Sequence, residues 1–274
     1  MGDRSLHIIA FGAHPDDCDL RAGGTAAKWA ALGHLVRFVS LTNGDAGHHE
    51  QGGPALARRR RAEATEAGRR IGVDYLVLDH GDGALLADLE LRGEVIREIR
   101  RWQADLVLAH RPNDYHPDHR YTGIAVQDAA YLVTVPNIAP EVPALARNPV
   151  FLHVEDGFLD PRPFRADIAV VIDDVIDRKV AMLDAHVSQF YEWLPWHAGK
   201  LDDVPADPGA RKAWLERQRT RTLPRSVRDA LELRYGPAIA RGARHAEAFE
   251  ICEYGTRPDE PAIRALFPFF SASD

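Results

Sequence analysis

Five residues near the amino terminus, Ala13-His14-Pro15-Asp16-Asp17, bring together three side chains of the kinds that bind metal ions or move protons. They follow the apolar run from Leu6 to Gly12, just where a first buried strand should end. His14 and Asp17, three apart in a tight turn, can both point at one cation, and Asp16 between them stays free to act as a base. A second stretch repeats the logic. Arg111-Pro112-Asn113-Asp114-Tyr115-His116-Pro117-Asp118-His119 follows the apolar run from Leu106 to Ala109.

Two imidazoles and one carboxylate with an open position make a common catalytic zinc site. The same donor count describes the ferrous facial triad, so both Zn2+ and Fe2+ satisfy these residues. Zinc lowers the pKa of a bound water and polarises a carbonyl oxygen. A nearby carboxylate can take the proton. A non-ligating imidazole can stabilise an oxyanion or protonate a leaving amine. Those parts suffice for amide hydrolysis without a nucleophilic Ser or Cys. Either stretch alone reads as a turn that caps a helix, with acidic groups at its positive end. Two such stretches, each behind a strand, read as a site.

The elements that must position them alternate. Strands are expected at about 6–12, 35–41, 75–78 and 106–109, each short and almost continuously apolar. Between them come helical patterns: one opening at Gly23-Gly24-Thr25, one over 55–71, and one carrying Leu91, Val95, Ile96 and Ile99. This pattern predicts an α/β fold, a Rossmann-like doubly wound, mainly parallel sheet flanked by helices. In that order the first and fourth strands are neighbours, and the two polar loops face each other across the switch-point crevice. No Gly-x-Gly-x-x-Gly loop follows the first strand, so a dinucleotide cofactor is not expected.

Beyond Tyr121 the pattern loosens. A helix to Val135, strands at 148–154, 168–172 and 249–252, and a helix capped by Asp173 or Asp174 are expected. Residues 190–225, with Trp193, Trp196 and Trp214 among prolines and charges, read as a lid or insertion. Tyr191, Trp193 and Trp196 can stack on a sugar ring, or form a hydrophobic lid or subunit contact. His48 and His49 lie in a Gly- and His-rich loop and are expected at the surface. A single domain over 1–274 is expected.

The chain has 274 residues, 45% of them apolar, and a net charge of −7, which gives no basic stripe for nucleic acid. Two cysteines, Cys18 and Cys252, exclude a disulfide scaffold and point to a reducing compartment. No signal-peptide pattern is read at the start, and no apolar run approaches the ~18 residues of a membrane span. A cytoplasmic protein is expected.

At the two His-Pro-Asp stretches the sequence resembles the PIG-L/LmbE-like family of zinc-dependent N-acetylglucosaminyl deacetylases, whose usual motifs are His-Pro-Asp-Asp-Glu and His-Pro-Asp-His. The resemblance covers most of residues 6–190, with an echo near 246–253. It implies a metal held by His14, Asp17 and His119, and Asp16 as the general base. It implies that His116 stabilises the oxyanion and assists amine departure, with Asp118 orienting His116. Arg60, in an Arg-and-Glu helix ending at Ile71-Gly72, and Asp82, in Gly81-Asp82-Gly83, match substrate-contacting positions. His186-Val187-Ser188-Gln189 resembles a further family segment near the pocket. The implied partner is a small N-acetylated sugar or related amide, and a homo-oligomer is an expectation from the family alone.

One position departs from the pattern: Cys18 stands where the family's first motif ends in Glu. A small buried thiol is expected there rather than a further ligand. Two other functions compete. An iron-dependent oxygenase uses the same donors, but such triads usually sit on β-barrel-like scaffolds. A non-catalytic metal- or sugar-binding module is suggested by the loss of the Glu.

Overall fold

Four short apolar runs form the strands β1 (His7–Gly12), β2 (Leu35–Thr42), β3 (Asp74–His80) and β4 (Leu106–Ala109) in a computed structural model that describes residues 4–219 and 222–270. They are joined by β5 (Val150–Val154), β6 (Ile168–Val171) and β7 (Ala246–Gly255). The sheet has seven strands in the order β3-β2-β1-β4-β5-β7-β6. β1 to β5 pair in parallel, and β7 runs antiparallel to both β5 and β6. The doubly wound, mainly parallel sheet read from the sequence is the one observed. Its strand order reverses between β1 and β4, so the two polar loops leave adjacent strand ends.

The helices are α1 (Asp17–Ala31), α2 (Gly53–Ile71), α3 (Leu89–Arg101), α4 (Pro117–Leu132), α5 (Ile176–Asp184), α6 (Leu194–His197), α7 (Pro208–Arg219), α8 (Arg225–Gly242) and α9 (Glu260–Leu266). One face of the sheet is covered by Trp29, Ile71, Met182 and Phe267 from α1, α2, α5 and the end of α9. The other is covered by Leu91, Val95, Ile99 and Val126 from α3 and α4. Both faces are therefore removed from water, which explains why the parallel strands read as continuous apolar runs rather than alternating ones.

Two boundaries differ from those expected, for the same reason. α1 begins at Asp17, not at Gly23, and α4 begins at Pro117, not at Tyr121. The second His-Pro-Asp stretch supplies the cap and first turn of α4, while the first forms the turn that ends at Asp16, the cap of α1. Pro117 occupies the start of α4, where its missing N–H costs nothing, and His116 caps that end by accepting from Asp118 N. Apolar periodicity begins later, because the first turn is spent on the site.

The late strand is also longer than expected. β7 extends ten residues although Glu247, Glu250 and Glu253 interrupt its apolar run. Glu247 and Glu250 are 3% and 1% exposed and survive there because each is fully engaged. Glu247 accepts from Gly24 N, Thr25 N, Thr25 Oγ1 and Lys179 Nζ at 2.6–2.8 Å.

The described residues of the 190–225 segment, which leave out 220 and 221, are mostly helical. A π-helical turn, Ser188–Trp193, runs into α6, and α7 packs Leu215 against Leu183, Phe190 and Tyr191. Among the described residues no helix is long and apolar enough to cross a membrane.

Candidate metal centre

The first turn closes because Asp17 Oδ2 accepts from His14 N at 2.8 Å. The end of β2 fixes it from below: Thr42 N and Thr42 Oγ1 both donate to Ala13 O at 2.8 Å. Gly12 is required here. A Cβ at that position would lie 2.8 Å from Asp17 Cβ and 3.2 Å from Cys18 Sγ. Gly123 has the same task for the second loop, since its Cβ would meet the His110 and Arg111 carbonyl oxygens at 2.8 Å. Both helices therefore approach the strand ends closely enough to oppose their side chains.

His14 Nδ1 lies 3.2 Å from His119 Nε2 and 3.4 Å from Asp17 Oδ2, and His119 Nε2 lies 3.4 Å from Asp17 Oδ1. A tetrahedral zinc site with bonds of about 2.0–2.1 Å has ligand-to-ligand edges of about 3.3 Å. The three expected donors are thus neighbours at ligand-like spacing, with the two edges to Asp17 running to different carboxylate oxygens. They belong to a larger group of donors whose atoms fall within 4.8 Å of one another in overlapping sets: His14, His116 and His119; His14, Asp82, His116 and Asp118; Asp17, His110 and His119. Each of His14, Asp17 and His119 is less than 10% exposed.

The carboxylates around the rings orient them. Asp118 does not pair with His116, as the sequence reading had it. Its carboxylate accepts from Gly83 N at 2.6 Å and Leu85 N at 3.2 Å and faces His14 Nε2 at 3.3 Å. The reason is its place in the first turn of α4: the side chain turns toward the 82–85 loop, and only its backbone N–H meets His116 Nδ1, at 3.2 Å. Two residues outside the expected set complete the arrangement. Asp114 Oδ2 lies 3.1 Å from His119 Nδ1, and His110 Nε2 lies 3.3 Å from Asp17 Oδ2 with its ring stacked 4.3 Å from that of His119. Asp114 sits within the quoted motif and His110 directly follows β4. Position was the available signal for both; their contacts depend on the fold.

The charges are mutually tuned. Burial acts to lower the His14 pKa, but Asp118, Asp17 and Asp82 outweigh it and hold the imidazole well above its usual value. His119 is raised in the same way, with burial outweighed by Asp17 and Asp114. Burial acts to raise Asp17, yet His119 and His110 hold it well below the usual carboxylate range. His116 goes the other way: burial and the neighbouring His14 and His119 lower it. A proton-rich cage of carboxylates and imidazoles is what a cation would replace.

Asp16 is 6% exposed, and burial raises its pKa despite the opposing charge of Arg60. Arg60 Nη2 donates to Asp16 Oδ1 at 3.0 Å, and Arg60 Nη1 lies 3.5 Å from Asp82 Oδ2. The neighbouring arginines of α2 point elsewhere. Arg59 pairs with Glu192 and Glu63, while Arg61 donates to Val77 O. Arg60 thus enters the site as the partner of two carboxylates, 2% exposed. Asp82 faces His14 Nε2 at 3.1 Å.

Cys18 is buried, directs its thiol at Ala10 O and packs into the core. It lies outside the donor sets. The next carboxylate, Asp19, is fully buried and receives Tyr75 OH at 2.8 Å with His186 Nε2 at 2.9 Å. His48 and His49 are not at the surface. The 188–197 segment covers them: His48 Nε2 meets Glu192 at 2.8 Å, and His49 stacks on Trp196 at 4.9 Å. Tyr191 is 3% exposed and donates to Asp184 at 2.7 Å, so it is not a free stacking surface.

Comparison with known proteins shows the family. The family model for PIG-L, GlcNAc-PI de-N-acetylase, matches residues 9–130, which contain both motifs. A diacetylchitobiose deacetylase from Thermococcus kodakarensis is 30% identical over 197 residues, covering 69% of this chain and 73% of the relative. A 4-oxalmesaconate hydratase from Pseudomonas putida is 26% identical over 201 residues, covering 70% and 78%. Among solved structures, the N,N'-diacetylchitobiose deacetylase from Pyrococcus horikoshii superposes with a TM-score of 0.66 at 25% identity, covering 89% of this chain and 83% of that one. By sequence and by fold, the chain belongs to the PIG-L family of GlcNAc-PI de-N-acetylases.

Proposed function

We propose that this protein is a metal-dependent N-deacetylase that hydrolyses the N-acyl amide of an N-acetylated sugar derivative, releasing acetate and a free amine. The observation that carries the reading is the cluster of His14, Asp17 and His119, whose donor atoms meet pairwise at 3.2–3.4 Å through both Asp17 oxygens, beside a buried Asp16 held by Arg60. A zinc ion there would supply Lewis acidity and a more acidic bound water. Asp16 takes the proton from the attacking water, and Arg60 fixes its carboxylate. His116, the most exposed of the three rings, donates toward the developing oxyanion and assists amine departure, while the proton that Asp16 took from the water passes to the leaving amine. Asp118 orients His14 and Asp114 orients His119. Asp82 and Arg60 form the wall that meets the sugar. Residues 190–225 act as a lid whose first turns, 190–197, are clamped by Glu192 to Arg59 and His48.

The test is acetate release from a panel of N-acetyl sugars by zinc-loaded protein. Asp16→Asn should lower turnover by about 10²–10⁴-fold while metal content is retained. Unchanged turnover would remove Asp16 from the mechanism. The hydratase among the relatives favours a second reading, addition of water across a carbon–carbon double bond at the same centre. Loss of the ultraviolet absorbance of an unsaturated carboxylic acid, with no acetate from any amide, would select it.

A further inference from the structure

One turn of α1 beyond the metal centre lies a cavity of about 310 Å³ that the reaction outlined above does not use. It opens among α1 (Leu20, Arg21), α5 (Lys179), α7 (Arg219), the end of β5 (Glu155) and the start of β7 (Glu247). Arg21 stands four residues after Asp17, about 6 Å along the helix and on the same face. The cavity therefore lies about one helical turn along α1 from the metal centre.

The balance of charge in the cavity is unusual. Lys179 and Glu247 neutralise each other at 2.6 Å. The His245 ring is engaged with Asp173 at 2.7 Å, and Arg244, also in the lining, is exposed. Glu155 contributes one negative charge to the lining. Arg21 and Arg219 remain, and among the described residues neither guanidinium makes an ion pair. Arg219 Nε is buried without a hydrogen-bond partner, and the guanidinium stands 5.5 Å from the Phe190 ring. Burial, and then the like charge of Arg21, hold Arg219 below its usual value. Two arginines turned into one half-buried cavity, each raising the cost of the other, are relieved by an anion that accepts from both.

We propose that this cavity binds an anionic group, a phosphate or a carboxylate, carried by the substrate at a position remote from the scissile amide. This rests on the deacetylase reading and narrows it: the preferred substrate is an acidic N-acetyl amino sugar rather than a neutral one. Because Arg219 belongs to α7, the anion also ties the 190–225 segment to the body of the protein.

Two measurements test this separately from the deacetylase reading. The first is kcat/KM of zinc-loaded protein on N-acetylglucosamine, its 1-phosphate, its 6-phosphate and its 3-O-lactyl carboxylate derivative. At least one anionic member should exceed the neutral sugar by about tenfold or more. That ratio should collapse toward one in Arg21→Gln and Arg219→Gln, through KM, and persist in the surface control Arg225→Gln. Whether a phosphate or the carboxylate wins identifies the source of the charge. The second is calorimetric binding of inorganic phosphate to the same zinc-loaded proteins. Arg219→Gln should weaken it by about tenfold, with Arg219→Lys recovering part of the loss. Phosphate binding that depends on Arg219, without turnover of any amide, keeps the anion site and discards the deacetylase. Turnover of neutral and anionic sugars alike, with phosphate binding unaffected by Arg219→Gln, discards the anion site and keeps the deacetylase. Absence of phosphate binding together with absence of turnover discards both.

Discussion

Asp114 is the residue whose loss best separates holding the metal from using it. Its carboxylate meets His119 Nδ1 at 3.1 Å, on the side of the ring away from Asp17 and His14. Removing it should leave the ring free to turn, without touching base or substrate. Asp114→Asn is expected to weaken zinc binding by about 10- to 100-fold, measured by chelator competition. At saturating zinc, turnover should largely return. A loss that excess zinc does not repair would place Asp114 in the chemistry instead. At this scale the sequence was informative about types and less so about pairings. His14, Asp16, Asp17, His116, Asp118 and His119 lie together in the candidate site at the ends of β1 and β4. The pairing of Asp118 with His14, and not with its near neighbour His116, depends on the direction of the first turn of α4, which spacing alone does not reveal. His110 carried no motif signal, since one imidazole after a strand is common.

Elements place these residues by means that composition hides. Arg100 is the clearest case. It lies in the apolar register of α3, fully buried, and donates to the carbonyls of Leu132, Val133, Val135, Ile138, Ala139 and Val142 at 2.6–3.0 Å. It therefore closes the carboxyl end of α4, the helix whose other end presents His116 and His119. Arg100→Met keeps the bulk and orphans those oxygens, so unfolding in urea should show a loss of at least about 3 kcal/mol. Glu250 on β7 plays a similar part for the loop after β5. It takes Arg162 Nη1 at 2.8 Å and Arg165 N at 2.9 Å. Burial acts to raise its pKa, but those donors outweigh it, so the folded value lies below the usual 4.5. Its contribution is therefore complete above about pH 4.5 and is lost as pH falls through the lower folded value. Wild-type stability should drop across that acid window more steeply than that of Glu250→Gln, by on the order of 1 kcal/mol; parallel curves would show that the carboxylate is not linked to folding. The alternation of β1 to β4 with helices was legible because both sheet faces are buried. β7 was legible only at its centre, because its glutamates interrupt the apolar pattern while their partners come from distant parts of the chain.

For the molecule as a whole, the site is where the sheet is least self-sufficient. Two loops from adjacent parallel strands bring imidazoles and carboxylates into a cage in which His14, Asp17, His110, Asp118 and His119 are each less than 10% exposed, and the ionisation of His14, Asp17 and His119 depends on their neighbours. That cage is too polar to be hydrophobic core and is enclosed on one side by the 188–197 segment over His48 and His49. The arrangement is stable in proportion to how well a cation satisfies it, and the unfolded chain has no such cage to offer. Metal binding should therefore appear as folding stability. Zinc at about 100 times its Kd should add roughly 2.7 kcal/mol, and for a chain of this size raise Tm by about 5–10 °C over chelator-treated protein. The increment should grow with zinc concentration and with pH from about 6 to 8, because the imidazoles must release protons to coordinate. It should shrink in Asp114→Asn and vanish in Asp17→Ala. A Tm indifferent to zinc in the intact chain would mean that the His14, Asp17 and His119 triangle is held by its own hydrogen bonds alone, and the metal-dependent reading of the whole protein would fall with it.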